Sequence, residues 1–470
     1  METDSSLLAK MASIFGTSEP AIRLLLSVFA GYPLALLHRR YVYGKDPKIQ
    51  HAFLFLSGLA LGYFNYGYDI LHGVVAMLFT YLTLIACGGT ILSVQISFAF
   101  NMVYLLIGYF WVGTDNYDIN WTMPQCIMVL RLIGLTYDVY DGQQPPENLS
   151  KENLKVALTE VPGLLETCGY VFFPTSFLVG PQFPLMRYRD YIEGKYGDVV
   201  ILNRVYKRFT LGVVFLVVFL VLGVFISDEY MVSDAYCNSN FIKKYFLLGL
   251  WGRFTLYKYI SCWLLTEGAC ILFGITYNGL DEDGTKQWNG VENVKVSLLE
   301  NATEFNHYIQ SFNINTNTWV AQYVYKRLKF LGNRYYSQGI TLLFLAVWHG
   351  LHSGYYVCFA FEFIVMFLEK DLKSIISENK KASAFFEDAT VKTVVRILLR
   401  IYTFVFMGWC LLPFALLTFS RYWHVFRSLH YIGFLVFFLY PIVYRPLLKI
   451  ALKKPKEVRR EEEEEEVHED

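Results

Sequence analysis

Long apolar stretches recur along the whole of this sequence and are separated by short polar segments. A helix that crosses the hydrocarbon core of a bilayer needs about 20 predominantly apolar residues. Stretches approaching that length cover residues 21–37, 51–64, 71–87, 94–112, 126–135, 171–179, 209–226, 245–274, 341–368, 394–417 and 431–450. The pattern therefore predicts an all-α integral membrane protein, a polytopic bundle of roughly eleven transmembrane helices.

Several of these apolar stretches are short, or are interrupted by proline, glycine or charge, as at Arg253 and Lys258. Irregular backbone at membrane depth has to be buried against protein or has to line a cavity. We therefore expect some helices to be tilted or re-entrant and the bundle to enclose a chamber. The expected organisation is an N-terminal segment of residues 1–20, a single bundle of residues 21–450 and a charged tail of residues 451–470.

The composition agrees with a membrane protein, because 54% of the residues are hydrophobic and only 17% are charged. A soluble domain carries about 25% charged residues and needs them to cover its surface. The 41 lysine and arginine residues balance the 41 aspartate and glutamate residues, so no basic field indicates a nucleic-acid partner. The eight cysteines are scattered and form no CxxC motif, so we expect neither a disulfide framework nor a metal site.

Basic residues beside the first and last apolar stretches indicate how the chain is oriented. The first stretch is followed by Arg39, Arg40, Lys45 and Lys48. Because cytosolic loops carry the excess of lysine and arginine, we expect this loop in the cytosol and the N-terminal segment in the lumen. Basic residues from Lys449 onward likewise place the C-terminal tail in the cytosol, where the six glutamates 461–466 are expected to be a solvated end. The sequence leaves open whether its three N-x-S/T sequons are glycosylated, at Asn120, Asn148 and Asn301.

Most of the nine histidines lie at the ends of apolar stretches or in loops, but His349 lies within the stretch 341–368. An ionisable residue at membrane depth is costly unless it faces protein or a water-filled cavity. The small residues Gly350, Ser353 and Gly354 follow it, and small side chains let another backbone or a ligand chain approach closely. Two interpretations stay open: a buried histidine that hydrogen-bonds a neighbouring helix, and a histidine that performs chemistry inside a chamber.

The segment before this stretch combines side-chain amides with a basic cluster. Asn313, Asn315 and Asn317 precede Trp319, and the cations that follow are Lys326, Arg327, Lys329 and Arg334. Apolar residues alternate with these cations, which is typical of a helix that lies at the membrane surface. Such cations also suit a phosphorylated substrate at a cytosolic entrance. Both interpretations are compatible with the sequence.

Four blocks of this sequence resemble the membrane-bound O-acyltransferase family, and within it the branch that acts on lysophospholipids. They are FFPTSFLVGPQFP from Phe172, FNINTNTW from Phe312, KRLKFL from Lys326 and WHGLHSGYY from Trp348. The resemblance implies a catalytic chamber in which His349 is the catalytic histidine and Asn313 its partner, with Asn315 and Asn317 next in order if the register is shifted. The further residues that it implies for binding acyl-CoA or the second substrate are Trp319, Lys326, Arg327, Lys329, Trp348, Gly354 and Tyr355.

The reaction that the resemblance implies is acyl transfer from acyl-CoA, as co-substrate, to the free hydroxyl of a lysophospholipid. Histidine suits the role of general base because its pKa lies near the working pH. Asn313 could orient the imidazole, orient the hydroxyl or donate to the oxyanion, and the sequence does not choose among these roles. A thioester is already activated, so we expect no metal and no permanently bound cofactor.

The resemblance also implies lysophosphatidylcholine as the main acceptor, with lysophosphatidylethanolamine and lysophosphatidylserine as others, polyunsaturated acyl donors, and a location in the endoplasmic reticulum membrane. The expected partners are acyl-CoA, lysophospholipid and the bilayer, and the sequence is also compatible with a homodimer. Two alternatives stay open. One is a protein or sterol O-acyltransferase of the same fold, and the other is a lipid transporter or non-catalytic lipid-binding bundle.

Overall fold

The computed structural model describes residues 7–14, 16–116, 118–197 and 202–452. Helices dominate these residues, and the only β-type pairing among them is two isolated bridges, Leu280 with Lys286 and Val294 with Phe312. The prediction of an all-α chain is confirmed for this part of the molecule. The predicted acidic block 461–466 and most of the basic cluster before it lie outside the described residues.

The helices of the first half begin near the N-terminus and follow one another with short connections. They are α1 (Leu7–Ile14), α2 (Glu19–Tyr41), α3 (Pro47–Tyr66), α4 (Leu71–Cys87), α5 (Ile91–Val112), α6 (Thr122–Asp141), α7 (Lys151–Val156), α8 (Leu164–Val171), α9 (Leu185–Ile192), α10 (Leu202–Phe225), α11 (Asp228–Val232) and α12 (Asp234–Cys237). Two 3₁₀ turns interrupt this half, at Gly67–Ile70 and Pro146–Asn148.

The second half contains the longest helices and three irregular helical turns. Its α-helices are α13 (Phe241–Phe273), α14 (Val296–Glu300), α15 (Phe305–Ser311), α16 (Ile314–Val320), α17 (Arg334–His349), α18 (Ser353–Ser377), α19 (Lys380–Glu387), α20 (Ala389–Leu416), α21 (Phe419–Ser428), α22 (Ile432–Phe438) and α23 (Arg445–Ala451). The irregular turns are π-helix at Ala321–Tyr325 and Tyr440–Tyr444 and 3₁₀-helix at Lys326–Leu331.

Among the residues that the structure describes, five helical segments are long and apolar enough to cross a membrane, and a bent pair near the C-terminus gives a sixth when it is counted as one span. They are Glu19–Tyr41, Pro47–Cys87, Ile91–Val112, Leu202–Val232, Ala389–Leu416 and the bent pair Ile432–Phe438 with Tyr440–Ala451. This is a multi-pass arrangement, but the predicted count of about eleven spans is not confirmed. Of the stretches that were counted, 171–179 is a set of buried turns after α8 and not a helix.

The apolar stretch 341–368, predicted as one helix containing His349, is two helices in the structure. Helix α17 ends at His349 itself, and α18 begins at Ser353. The break falls at Gly350, whose φ of 141° is a conformation that L side chains rarely adopt. His349 therefore lies at a helix end, where the chain turns back, and not in the middle of a span.

Helix α13 organises the bundle because it packs against α2, α10 and α20. Its closest approach to α20 is at Gly252, where a Cβ would overlap the Cα of Gly408. On the far side of α20, helix α18 packs against both α20 and α17. The space left between α13 on one side and α17 and α18 on the other is where the candidate site lies.

Candidate active site

A chamber of about 1000 Å³, partly open to the outside, lies inside the bundle. Its wall is formed by parts of α2, α13, α16, α17, α18 and α20, together with the loop after α5 and the turns at 179–182. Most of the side chains that face it are apolar, such as Phe29, Leu256, Phe312 and Phe414. A chamber of this size and character suits a ligand with long apolar chains.

His349 lines this chamber from the last position of α17. Its Nδ1 lies 2.7 Å from the carbonyl oxygen of Leu345, and because a carbonyl oxygen only accepts, Nδ1 carries the proton of this bond. In the neutral ring the Nε2 atom is then an acceptor, and it has no hydrogen-bond partner among the described residues. The ring is held by four aromatic neighbours, which are Trp348, Tyr355, Phe359 and Phe414.

Asn313 lines the same chamber from the position that precedes α16. Its backbone is left-handed, with φ 50° and ψ 44°, a conformation that asparagine tolerates better than most residues. The side-chain oxygen accepts a hydrogen bond from Asn293 at 3.3 Å. The Nδ2 group donates to no described residue, so both of its N–H bonds are available to a ligand. The structure thus brings His349 and Asn313 to one chamber, and no direct hydrogen bond joins them.

The two neighbouring amides have different surroundings. The Nδ2 atom of Asn315 lies within hydrogen-bond distance of the carbonyl oxygens of Val291 and Glu292 and of the side-chain oxygen of Asn293. The Nδ2 atom of Asn317 donates to the carbonyl oxygens of Ile309 and Phe312, at 2.9 and 3.0 Å. Their amide donors are therefore occupied by the protein itself. Among the three amides, this distinction favours the register that selects Asn313.

The segment before Asn313 contains a residue that the sequence analysis missed. Asn293 accepts the backbone N–H of Ile314 on its carbonyl and the backbone N–H of Asn315 on its side chain, at 3.1 and 3.0 Å. Its own backbone N–H donates to Glu267 at 2.7 Å, and Glu267 is paired with Arg208 at 3.2 Å. Asn293 therefore links the turn that contains Asn313 to the buried carboxylate of Glu267 on α13.

Three further predicted site residues lie beside His349. Trp348 lines the chamber, and its indole N–H donates to the carbonyl of Cys126 at 2.9 Å. Tyr355 also lines the chamber and packs its ring against the ring of His349. Gly354 does not face the chamber but lies where α18 meets the end of α20, since a Cβ there would overlap the carbonyl oxygen of Pro413. Its role in the structure is close helix packing.

The remaining predicted residues lie away from the chamber wall. Trp319 is buried against Gly134 and stacks on Phe344. Arg327 donates to the fully buried Asp141 at 2.9 Å and lies over the ring of Tyr137. Both side chains are therefore held by contacts with other parts of the protein.

The two lysines of the basic cluster are closer to solvent. Lys326 pairs with Glu152 at 2.8 Å, and this side-chain hydrogen bond lowers the pKa of Glu152 to about 2. Lys329 is exposed. The segment itself is a π-turn followed by a 3₁₀ turn that leads into α17, and not the single amphipathic helix that the pattern predicted. Neither lysine lines the chamber.

The block that starts at Phe172 forms another part of the wall, through residues 179–182. It is held by Arg131, a fully buried residue of α6. The guanidinium donates to the carbonyls of Tyr170 and Val171 and to the hydroxyl of Ser176, among others. No carboxylate of a described residue is bound to Arg131, and its N–H groups instead donate to oxygens of these buried turns.

A sequence signal for several of these missed residues did exist. Arg131 and Glu267 are charged residues within apolar stretches, and such residues are by default candidates for a functional site. Asn293 has no comparable signal, because it lies in a polar loop where an asparagine is ordinary.

Spanning helices around a largely apolar chamber, with a histidine and an amide that face it, define a multi-pass membrane protein with an internal reaction site. Residues 106–412 match the model of MBOAT, the membrane-bound O-acyltransferase family, and the chain belongs to this family. It is thus an acyltransferase, and the resemblance seen in the sequence is confirmed at this level.

Similar proteins cover nearly the whole chain. It is 42% identical to lysophospholipid acyltransferase 5 of Mus musculus over 455 residues, which are 96% of this chain and 93% of the mouse protein. It is 40% identical to lysophospholipid acyltransferase 5 of Homo sapiens over 458 residues, 95% of this chain and 94% of the human protein. For lysophospholipid acyltransferase 5 of Caenorhabditis elegans, the identity is 36% over 464 residues, 97% of this chain and 98% of the worm protein.

Proposed function

We propose that this protein transfers an acyl group from acyl-CoA to the free hydroxyl of a lysophospholipid. One observation carries the proposal. His349 Nε2 and Asn313 Nδ2 lie in the same apolar chamber, and neither atom has a hydrogen-bond partner among the described residues. The names of the similar proteins support a lysophospholipid as the acceptor.

In the proposed reaction, His349 is the general base. Its Nε2 accepts the proton of the acceptor hydroxyl as that oxygen attacks the thioester carbonyl carbon. The hydrogen bond from Nδ1 to the carbonyl of Leu345 fixes the tautomer that leaves Nε2 able to accept. When the carbon–sulfur bond breaks, the CoA sulfur accepts from His349 the proton that the hydroxyl had given up. The products are a diacyl phospholipid and CoA with a free thiol.

Asn313 donates from Nδ2 to the carbonyl oxygen that becomes negatively charged in the tetrahedral intermediate. A donor that is already positioned, and that is not paired elsewhere in the protein, stabilises this charge without reorganisation. The contacts of Asn293 hold the turn in place, so that the free face of the amide stays toward the chamber. The apolar wall keeps water away from the thioester, which would otherwise be hydrolysed.

The finer assignments rest on the resemblance of the sequence to lysophosphatidylcholine acyltransferase type three. They are lysophosphatidylcholine as main acceptor, lysophosphatidylethanolamine and lysophosphatidylserine as others, polyunsaturated donors, and the endoplasmic reticulum membrane with the C-terminus in the cytosol. Acyl-CoA enters from the cytosol, where Lys326 and Lys329 lie near enough to the surface to meet its phosphates. The lysophospholipid enters from the bilayer.

The test is a panel of acceptors given to the purified full-length protein together with labelled polyunsaturated acyl-CoA. We expect labelled phosphatidylcholine from lysophosphatidylcholine, and no labelled product from a sterol or a peptide. Label on the sterol or the peptide, with none on any lysophospholipid, would refute the proposal in favour of another branch of the family. Lipid binding without release of CoA would identify a non-catalytic bundle.

A further inference from the structure

An acidic side chain lies in the chamber where the proposed mechanism has no use for it. Glu362 of α18 faces the chamber. Its carboxyl group has no hydrogen bond and no ion pair with any described residue. By contrast, Glu369, two turns further along α18, accepts from the backbone of Phe305 and from the hydroxyl of Tyr402. An unpaired carboxylate among apolar residues is costly, so its presence calls for a partner that arrives with a ligand.

The position of Glu362 along α18 relates it to the reaction centre. Tyr355 and Phe359 line the chamber from the same face of α18, and both rings contact the ring of His349. At 1.5 Å per residue, Glu362 lies about 4.5 Å beyond Phe359 and about 10 Å beyond Tyr355 along the helix axis. The carboxyl group is therefore one to two helical turns from the residues that hold the catalytic ring.

The charges that the two proposed substrates carry restrict what Glu362 can bind. The phosphates of acyl-CoA are repelled by a carboxylate, whereas the head group of a zwitterionic lysophospholipid ends in an ammonium group. In an extended head group this nitrogen lies eight bonds from the glycerol 2-hydroxyl oxygen, which is about 10 Å at roughly 1.5 Å per bond reduced by the bond angles. This length is comparable with the offset of about 10 Å between Glu362 and Tyr355, whose ring contacts His349, along the axis of α18.

The other walls of the chamber leave room for the rest of the lipid. Leu25 and Phe29 of α2 and Phe219 of α10 form an apolar wall. Helices α2 and α10 pack on α13, whereas α18 packs on α17 and α20, so the apolar wall and Glu362 belong to different sides of the bundle. A lysophospholipid with its hydroxyl at His349 can then direct its acyl chain toward α2 and α10 and its head group toward Glu362.

We propose that Glu362 binds the cationic head group of the lysophospholipid acceptor and so selects zwitterionic acceptors such as lysophosphatidylcholine. This inference rests on the proposed function and adds a residue that determines acceptor specificity. Its aromatic neighbour on α18, Phe359, presents a ring to the same space, and aromatic rings attract quaternary ammonium groups through their faces.

The experiment compares two acceptors of the same shape on the purified full-length protein. One is lysophosphatidylcholine, and the other is its neutral analogue in which a carbon atom replaces the quaternary nitrogen. We expect kcat/KM of the wild type to be about 10- to 100-fold lower for the neutral analogue, mostly through KM, because a charged contact is lost. In Glu362→Gln the two acceptors should become nearly equal, while KM for acyl-CoA stays unchanged.

Two further variants act as controls. Glu362→Asp keeps the charge and should keep most of the discrimination. Cys358→Ser, which changes a chamber residue one turn earlier without changing charge, should keep the wild-type ratio. Equal use of both acceptors by the wild type would overturn the inference, and this result does not depend on whether any variant folds. Full discrimination by Glu362→Gln would overturn it as well, and so would a KM effect on acyl-CoA alone.

Failure of the underlying function has a different signature. If the wild type acylates no lysophospholipid, zwitterionic or neutral, the proposed function and the role of Glu362 fall together. If the wild type acylates both acceptors equally well, the proposed function stands and only the role of Glu362 is lost.

Discussion

Asn313, Asn315 and Asn317 carry the same side chain within five positions, and their replacement should separate chemistry from stability. The amide of Asn315 contributes two N–H groups to three acceptors of the protein, and that of Asn317 contributes to two carbonyls. At about 1 kcal/mol of net stabilisation per hydrogen bond, Asn315→Ala and Asn317→Ala should each lower the free energy of unfolding by about 2 kcal/mol. Their kcat should change little, because neither amide has a donor free for the substrate.

Asn313 should show the opposite behaviour. Its side chain makes one hydrogen bond, at 3.3 Å, so its loss costs less than about 1 kcal/mol of stability. If Nδ2 donates to the oxyanion, kcat should fall by about 10²–10³-fold. Alanine at this position also has to adopt φ 50°, which costs about 1–2 kcal/mol. Asn313→Gly avoids this backbone strain, so the loss of kcat in the glycine variant reports on the amide alone.

The assay measures, for each purified variant, the thermal midpoint by size-exclusion chromatography after heating, and kcat from CoA release with lysophosphatidylcholine. We expect Asn313→Gly to keep the wild-type midpoint and lose turnover, while Asn315→Ala and Asn317→Ala keep turnover and lose stability. A variant series in which Asn313→Gly keeps most of its turnover, or in which Asn315→Ala is folded and inactive, would refute the assignment of the oxyanion donor.

Three other predictions follow from the contacts. His349→Ala should lower kcat by about 10²–10⁴-fold in a folded protein. His352→Ala should lower kcat much less, because it removes a hydrogen bond to the carbonyl of Thr114 and a ring contact with Tyr355 but no group with a role in the proposed reaction. Similar turnover of the two variants would contradict this. Gly354→Ala should lower the thermal midpoint because its Cβ would overlap the carbonyl oxygen of Pro413. Gly339→Ala is the control and should keep the midpoint, because the space around Gly339 is open. Equal midpoints of the two variants would show that α18 and α20 can move apart at no cost in stability. Replacing Lys326 and Lys329 by glutamine should raise KM for acyl-CoA more than KM for lysophospholipid. Added salt should have the same effect on the wild type, since exposed charges are screened over about 10 Å at 0.1 M. Equal effects on both KM values would indicate that this segment only contacts the membrane surface.

The positions of many helices could be predicted from the sequence, because apolar runs decide where a chain can be buried in a bilayer. The stretch 71–87 coincides with α4, and the stretch 394–417 nearly coincides with α20. The prediction of a helix over residues 171–179 was wrong because this segment is buried in turns that Arg131 holds. Burial inside the protein and burial in lipid both require apolar residues, so the amino-acid composition does not distinguish them. The break at Gly350 depends on one backbone angle, which an apolar average does not reveal.

The candidate site was predictable where chemistry requires a rare residue in an apolar setting, as for His349. The choice of Asn313 over Asn315 and Asn317 rested on motif register, because the sequence does not reveal which amide donors the protein already occupies. The resemblance implied ligand roles for Trp319 and Arg327, whereas in the structure Trp319 stacks on Phe344 and Arg327 donates to Asp141. Proximity along the chain did not determine which side chains face the chamber.

The most direct test of the central claim is the release of CoA from a polyunsaturated acyl-CoA by the purified protein, measured with and without lysophosphatidylcholine, in parallel for wild type and His349→Ala. The account predicts that the wild type releases CoA only when the acceptor is present, in an amount equal to the phosphatidylcholine formed, and that His349→Ala releases almost none. Release of CoA by the wild type without acceptor, or turnover by His349→Ala close to that of the wild type, would contradict a chamber in which His349 activates a lysophospholipid hydroxyl.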